Sequence, residues 1–266
     1  MKIAILGCGN MGMAFARSFI QYDLVKKDHL LLIEKSPERC EILKTAKEGI
    51  VVDTINESIG TCDLVILSVK PQDFSLVAEE LKNILNDDQI VLSIMAGITI
   101  ERIQKELNHQ LIVRAMPNTP AMLGMGITGF SASDGISFAK LIKIENLINA
   151  TGRSVYIEDE KMLDAVTALS GSGPAYFYYV VQQMIEAGKK MGFNEGLALL
   201  LVKQTMLGSY HLINNAEQSL DQLIKAVASK GGTTEAALKT FQDFKVNDGL
   251  IEGILNAEKR AKELSK

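Results

Sequence analysis

The chain has no long run of positive charge. Its 28 lysines and arginines stand against 32 aspartates and glutamates, a formal net charge of -4. A nucleic-acid surface needs a basic stripe to neutralise phosphates, so the composition argues against that class of partner. Cysteine is scarce. Cys8, Cys40 and Cys62 show neither paired metal-type spacing nor a disulfide framework. They read as reduced thiols in a reducing compartment, the cytoplasm. No stretch approaches the roughly 18 apolar residues of a spanning helix, so no membrane partner is expected. The N-terminal "MKIAILGCGNMG" reaches a glycine loop after a short apolar run. A secretory signal core needs roughly 7–15 apolar residues. Internal repeats and low-complexity tracts are absent. Histidine is limited to His29, His109 and His211, none of them in a motif.

What is present is 266 residues of ordinary globular composition, enough for one large or two modest domains. Residues 1–157 alternate short, near-continuously apolar runs with amphipathic ones. Buried strands are expected at 2–6, 30–34, 50–52, 64–69, 90–94 and 111–116, with helices at 11–22, 37–48, 74–85 and 99–107. This alternation predicts a doubly wound parallel sheet. "GITGFSA" and "SVYI" suggest further strands, around a helix over 138–150. From about Glu158 the strand runs stop, and 158–266 reads as an all-helical domain. Pro174 suits a first helical position and Gly192 a helix end. The helix containing "LALLLV" is apolar nearly all round. Such a helix is buried in a core or against another subunit, which predicts a homodimer through this domain.

"ILGCGNMG" places Gly7, Gly9 and Gly12 in the G-x-G-x-x-G spacing, directly after the first strand. The first glycine permits the tight turn, the second lets backbone approach a pyrophosphate, and the third lets helix pack on strand. The helix N-terminus then favours the phosphates, so a dinucleotide cofactor is expected. The end of the second strand gives two conflicting signals. Glu34 lies where an acid would bond the ribose 2′-hydroxyl of NAD. Lys35, Ser36 and Arg39 follow, and these can hold the 2′-phosphate of NADP.

Five motifs occur in order: "GCGNMG", "SVKPQ", "RAMPNTPAMLGMGITGF", "ALSGSGPAYFY" and "SKGGTTEAAL". Together they resemble the pyrroline-5-carboxylate reductase family over nearly the whole chain. The resemblance implies a Rossmann domain followed by an all-α dimerisation domain. It also implies reduction of the imine 1-pyrroline-5-carboxylate to L-proline by NADPH, with NADH possible. The homodimer or a larger assembly of dimers would place the active site between one subunit's nucleotide domain and the helical domains at the dimer interface.

By the same resemblance, Leu6, Gly7, Gly9, Asn10, Met11, Gly12, Lys35, Ser36, Asn56, Val69, Lys70, Pro71, Ala96 and Asn118 would contact the cofactor. Asn56 would lie near the adenine ribose, and Ala96 and Asn118 near the nicotinamide. Glu160, Ser172 and the loop Ser229–Gly231–Gly232–Thr233–Thr234 would bind substrate. Ser229 and the backbone of Thr233 match carboxylate contacts, and the Thr234 hydroxyl matches the catalytic contact to the ring nitrogen. The chemistry agrees with this reading. Adjacent glycines before a helix open backbone N–H groups and a positive dipole end to a carboxylate. An imine that arrives protonated, or takes its proton through water, needs orientation more than a strong acid, and no histidine relay is evident. No metal is expected.

Two features depart from the family pattern. Lys230 replaces the usual proline, and "QSLDQL" stands where His-Pro is common. Two rival readings are a β-hydroxyacid dehydrogenase and a non-catalytic NADP-binding regulator. The first expects G-x-x-x-N-x-x-K on a helix, and "GPAYFYYVVQQ" carries neither asparagine nor lysine.

Overall fold

The computed structural model describes residues 1–265. The apolar runs pair as their alternation with helices requires. Strands β1 (Ile3–Leu6), β2 (Leu30–Ile33), β3 (Ile50–Val52), β4 (Leu64–Leu67), β5 (Ile90–Ser93) and β6 (Ile112–Met116) lie parallel in the order β3-β2-β1-β4-β5-β6. This is the strand order of a dinucleotide-binding doubly wound sheet. The two further runs extend it. β7 (Gly126–Ala132) is antiparallel to β6, and β8 (Gly152–Tyr156) is parallel to β7.

Helices cover both faces, so β1, β2 and β4 are buried along their whole length. On one face α1 (Asn10–Gln21) and α5 (Phe138–Asn149) pack Phe15, Phe19, Ile144 and Ile148 against Ile5, Leu32 and Phe130. On the other, α3 (Phe74–Leu81) and α4 (Ile100–Leu107) pack Phe74, Val77, Ile103 and Leu107 against Val65, Leu67 and Val91. Side-chain oxygens fix several helix starts. Ser36 caps α2 (Pro37–Ala46), Thr99 caps α4 and Ser137 caps α5. Helix α3 ends four residues short of the sequence expectation, because the chain turns there with Ile84 N–H on Leu81 O at 2.8 Å.

The chain packs as two compact units: Met1–Pro174 with the chain from Ala257 onward, and Ala175–Asn256. The helical texture that begins near Glu158 starts earlier than the second unit. Its first piece, α6 (Leu163–Val166), lies against the sheet, where Leu163 and Val166 crowd Gly129 of β7. A π turn over Thr167–Gly171 follows, with Ser172 N–H bonded to Thr167 O at 2.8 Å, and then α7 (Gly173–Lys190). The sequence gives no periodic sign of this π turn, since "MLDAVTALS" fits an ordinary helix.

The second unit holds most of α7, then α8 (Glu195–Asn215), α9 (Leu220–Val227), α10 (Thr233–Asp243) and the start of α11 (Val246–Leu264). Asn194 caps α8, and a reciprocal Ser219–Gln222 capping box starts α9. Helices α7 and α8 approach closely at Gly188, where an added Cβ would stand 3.0 Å from Ala198 Cβ. On α8 only Ala198 and Val202 are buried, and Leu199, Leu200 and Leu201 stay exposed.

One polar cluster sits inside the first unit. Arg114 projects from β6 with 4% of its side chain exposed. It donates to Glu160 Oε1 at 2.9 Å and to Asp164 Oδ1 at 3.1 Å. Glu160 Oε1 also accepts the Ile100 N–H at the start of α4, at 2.8 Å. Ser265 Oγ donates to Asp164 Oδ1 at 2.8 Å, and Leu264 packs against Gly97. The guanidinium therefore joins β6, α4, α6 and the end of α11. Arg114→Leu leaves two carboxylates facing each other without their cation. We expect a loss of about 3–5 kcal/mol in urea denaturation. A loss below about 1 kcal/mol, the range of an ordinary surface change, contradicts this role.

Candidate active site

The glycine loop follows β1 and opens α1. Gly7 N–H bonds Ile33 O at 3.0 Å and ties the loop to β2. Gly7 has φ +89°, and a Cβ there would stand 2.6 Å from Ser68 O. A Cβ on Gly12 would stand 2.3 Å from Gly7 O. No side chain fits at either place without moving backbone. Gly9 differs: nothing lies within 4 Å of its Cβ position, and it starts α1 with no side-chain cap. The first N–H groups of α1 thus face outward beside backbone that a ligand can approach, which suits a pyrophosphate.

A cleft of about 580 Å³ opens along this loop at the carboxyl ends of β1 to β4. This edge is where doubly wound sheets bind ligands. Of the sequence-predicted residues, Leu6, Gly7, Gly9, Lys35, Val69 and Lys70 line it. Ile55, Leu76 and Val77 add an apolar wall, with Asp53, Thr54 and Glu80 beside it. Sequence reasoning missed these six. Their signal was position alone, at the end of β3 and along α3.

Other predicted residues hold structural contacts. Asn10 is exposed, and Met11 packs against the core beside buried Gly12. Ser36 Oγ accepts the Arg39 N–H at 3.4 Å as the α2 cap. Asn56 Oδ1 accepts the Ser58 N–H at 3.0 Å, capping the short 3-10 helix Glu57–Thr61. Pro71 begins the 3-10 helix Pro71–Asp73, and Ala96 lies in the turn between β5 and α4. Asn118 is buried, with Oδ1 taking the Ile127 N–H at 3.1 Å and Nδ2 donating to Ser170 O at 3.2 Å. It joins the end of β6 to β7 and to the π turn. Ser172 follows that turn, half-buried, and Glu160 belongs to the Arg114 cluster.

In the second unit, Ser229 to Thr234 form one loop running into α10. Gly231 has φ +76°, the left-handed region that glycine enters without strain. Gly232 starts α10 in extended conformation and offers no capping side chain. A Cβ on it would stand 2.5 Å from Ser229 Oγ, so that hydroxyl lies at the helix start. The first bond back is Ala236 N–H to Gly232 O at 3.2 Å. The N–H groups of Thr233 and Thr234 therefore face away from the helix. Gly231 N–H donates to the carboxylate of Glu235 at 2.7 Å, so the loop already accepts one carboxylate.

The surroundings of the thiols near the glycine loop favour their neutral form. Burial pushes the Cys8 thiol up to about 12, with the Glu34 carboxylate adding to the effect. Burial, then Glu34, also raises Cys40. All three cysteines are buried and free. Among the described residues no group of three or more histidine, cysteine or acidic side chains could hold a metal ion.

Comparison with known proteins bears on both units. The family model described as "Pyrroline-5-carboxylate reductase dimerisation" matches residues 160–264. The model described as "NADP oxidoreductase coenzyme F420-dependent" matches residues 2–97. The chain is similar to pyrroline-5-carboxylate reductase of Pseudomonas aeruginosa, at 39% identity over 99% of this chain and 97% of the relative. It is similar to pyrroline-5-carboxylate reductase 2 of Bacillus subtilis, at 34% identity over 99% of this chain and 95% of the relative. A crystal structure of the Plasmodium falciparum pyrroline carboxylate reductase with NADP bound superposes with a TM-score of 0.91, at 26% identity, over 100% of this chain and 98% of that one. With likeness on this scale running from the glycine loop to the last helix, the chain belongs to the pyrroline-5-carboxylate reductase family.

Proposed function

We propose that the protein reduces 1-pyrroline-5-carboxylate to L-proline with NADPH, the last step of proline biosynthesis. The observation that carries this reading is the open start of α10. Gly231, Gly232 and the outward N–H groups of Thr233 and Thr234 form a carboxylate-accepting loop, and the same chain holds an uncapped glycine loop fit for a dinucleotide. When bound, NADPH supplies the hydride that adds to the imine carbon.

The residues here bind and orient. Ser229 and the Thr233 N–H hold the substrate carboxylate, helped by the positive end of α10. The Thr234 hydroxyl bonds the ring nitrogen and sets the imine plane. The C=N π electrons pass to nitrogen as the hydride forms the new C–H bond, and an iminium becomes a neutral ring amine. Because the nitrogen arrives protonated, the step needs no buried acid. Holding donor and acceptor carbons in line supplies most of the rate. Lys35 lies in the cleft beside the α2 start and is the cation for the 2′-phosphate of NADPH.

The match to a dimerisation model fits the apolar side chains that α7 and α8 leave exposed, among them Phe177, Tyr178, Tyr179, Leu200 and Leu207. We assign this surface to a homodimer, with larger assemblies built from it. The three free thiols suit the cytoplasm. Among the described residues no helix is long and apolar enough to cross a membrane.

Incubating the protein with pyrroline-5-carboxylate and NADPH, and following absorbance loss with proline formation, tests the assignment. A β-hydroxyacid dehydrogenase or a non-catalytic regulator gives no proline. Thr234→Ala should lower kcat/KM for the imine by about 10²-fold, as removal of one transition-state hydrogen bond does elsewhere. Its dinucleotide affinity stays at the wild-type level, and wild-type turnover in this variant removes Thr234 from the mechanism. Lys35→Ala should raise the KM for NADPH by about tenfold, the worth of one charge-assisted bond, and leave NADH unchanged. Equal effects on both dinucleotides contradict the 2′-phosphate role. Leu200→Glu should shift the sedimentation coefficient to that of a monomer, and an unchanged dimer places the interface elsewhere.

A further inference from the structure

The acid at the end of β2 lines the cleft, but backbone N–H groups already occupy its carboxylate. An acid that reads a ribose presents free acceptor lone pairs to two hydroxyls. Both oxygens of Glu34 are already engaged. Oε2 accepts the Cys8 N–H at 3.2 Å, and Oε1 accepts the Ser36 N–H at 3.0 Å. Only 15% of the side chain is exposed. These are bonds from backbone amides to a carboxylate, the strong class of hydrogen bond.

Arg39 completes the arrangement from α2. Its Nε donates to Cys8 O at 2.5 Å and lies 3.9 Å from Glu34 Oε2. The N–H of Cys8 is thus held by an anion and its carbonyl by the cation paired with that anion. Cys8 stands between Gly7 and Gly9, the most conformationally free residue type on either side. A loop of that composition loses entropy when it orders around a pyrophosphate, and a clamp on its central residue removes that cost before binding.

We propose that Glu34 is a positioning residue. It presets the glycine loop and the start of α2, and it does not choose between NADH and NADPH. The conflict between Glu34 and its basic neighbours then disappears: the carboxylate lines the cleft with both oxygens bonded to backbone, and Lys35, next to it at the start of α2, is the 2′-phosphate cation. This rests on the dinucleotide reading of the cleft. Loss of the clamp weakens every ligand that uses the loop, because both dinucleotides share the pyrophosphate.

The test is steady-state kinetics of Glu34→Gln and Glu34→Ala with each dinucleotide in turn. Glutamine keeps the volume but sets an NH2 group against one of the two backbone donors. In both variants the KM for NADPH and for NADH should rise together by about tenfold, with their ratio held, while kcat and the KM for the imine stay near wild type. That split separates positioning from simple destabilisation, which lowers the active fraction and leaves KM alone. A rise confined to NADH makes Glu34 the ribose reader and overturns the proposal. So does an unchanged KM for both, or a fall in kcat with neither KM moved. If wild-type protein binds neither dinucleotide in nicotinamide fluorescence titration, the cleft reading itself fails, a result distinct from all of these.

Discussion

Helix α1 lies directly on the β1–β4 pair, and the candidate cofactor site depends on that approach. Gly7 and Gly12 leave no room for a side chain: the nearest backbone atoms stand 2.6 Å and 2.3 Å from their Cβ positions. This closeness aims the start of α1 along the sheet edge. It also brings the loop within reach of Ile33 O on β2, and hence of Glu34 and Arg39. The cleft is what remains open once strand, turn and helix have closed to that distance.

The two loops expected to bind anions share a construction. Ser36, Thr99, Ser137, Asn194 and Ser219 each turn an oxygen onto the first N–H groups of a helix. Helices α1 and α10 start instead at Gly9 and Gly232, which have no oxygen to offer. A ligand anion can do what a capping side chain does elsewhere. Charged side chains nearby hold backbone in place: Glu34 and Arg39 clamp Cys8, Glu235 takes the Gly231 N–H, and Glu160 with Arg114 fixes the start of α4. A burden of strain is not needed at either loop, because glycine occupies the left-handed positions Gly7 and Gly231.

The sheet was legible because its strands are buried on both faces and read as continuous apolar runs. Each of the six parallel strands falls within two residues of its expected place. The glycine loop was legible from spacing, since the close approaches at Gly7 and Gly12 admit no other residue. Side-chain commitments were not legible. Asn56, Asn118 and Glu160 are polar residues that the family resemblance assigns to the site, and only the fold reveals the backbone donors and charges they satisfy. The apolar wall of Ile55, Leu76 and Val77 was hidden for a related reason: its residues come from separate elements with no shared pattern. The π turn at Thr167–Gly171 adds a residue to the hydrogen-bond loop without altering the apolar periodicity.

The central claim is that this chain moves a hydride from a nicotinamide to a ring imine carbon. Incubation of the protein with pyrroline-5-carboxylate and NADPH deuterated at the transferring C4 position tests it most directly. Mass spectrometry should find proline carrying one deuterium on the ring carbon that had been double-bonded to nitrogen. Proline without deuterium, or no proline at all, contradicts the account.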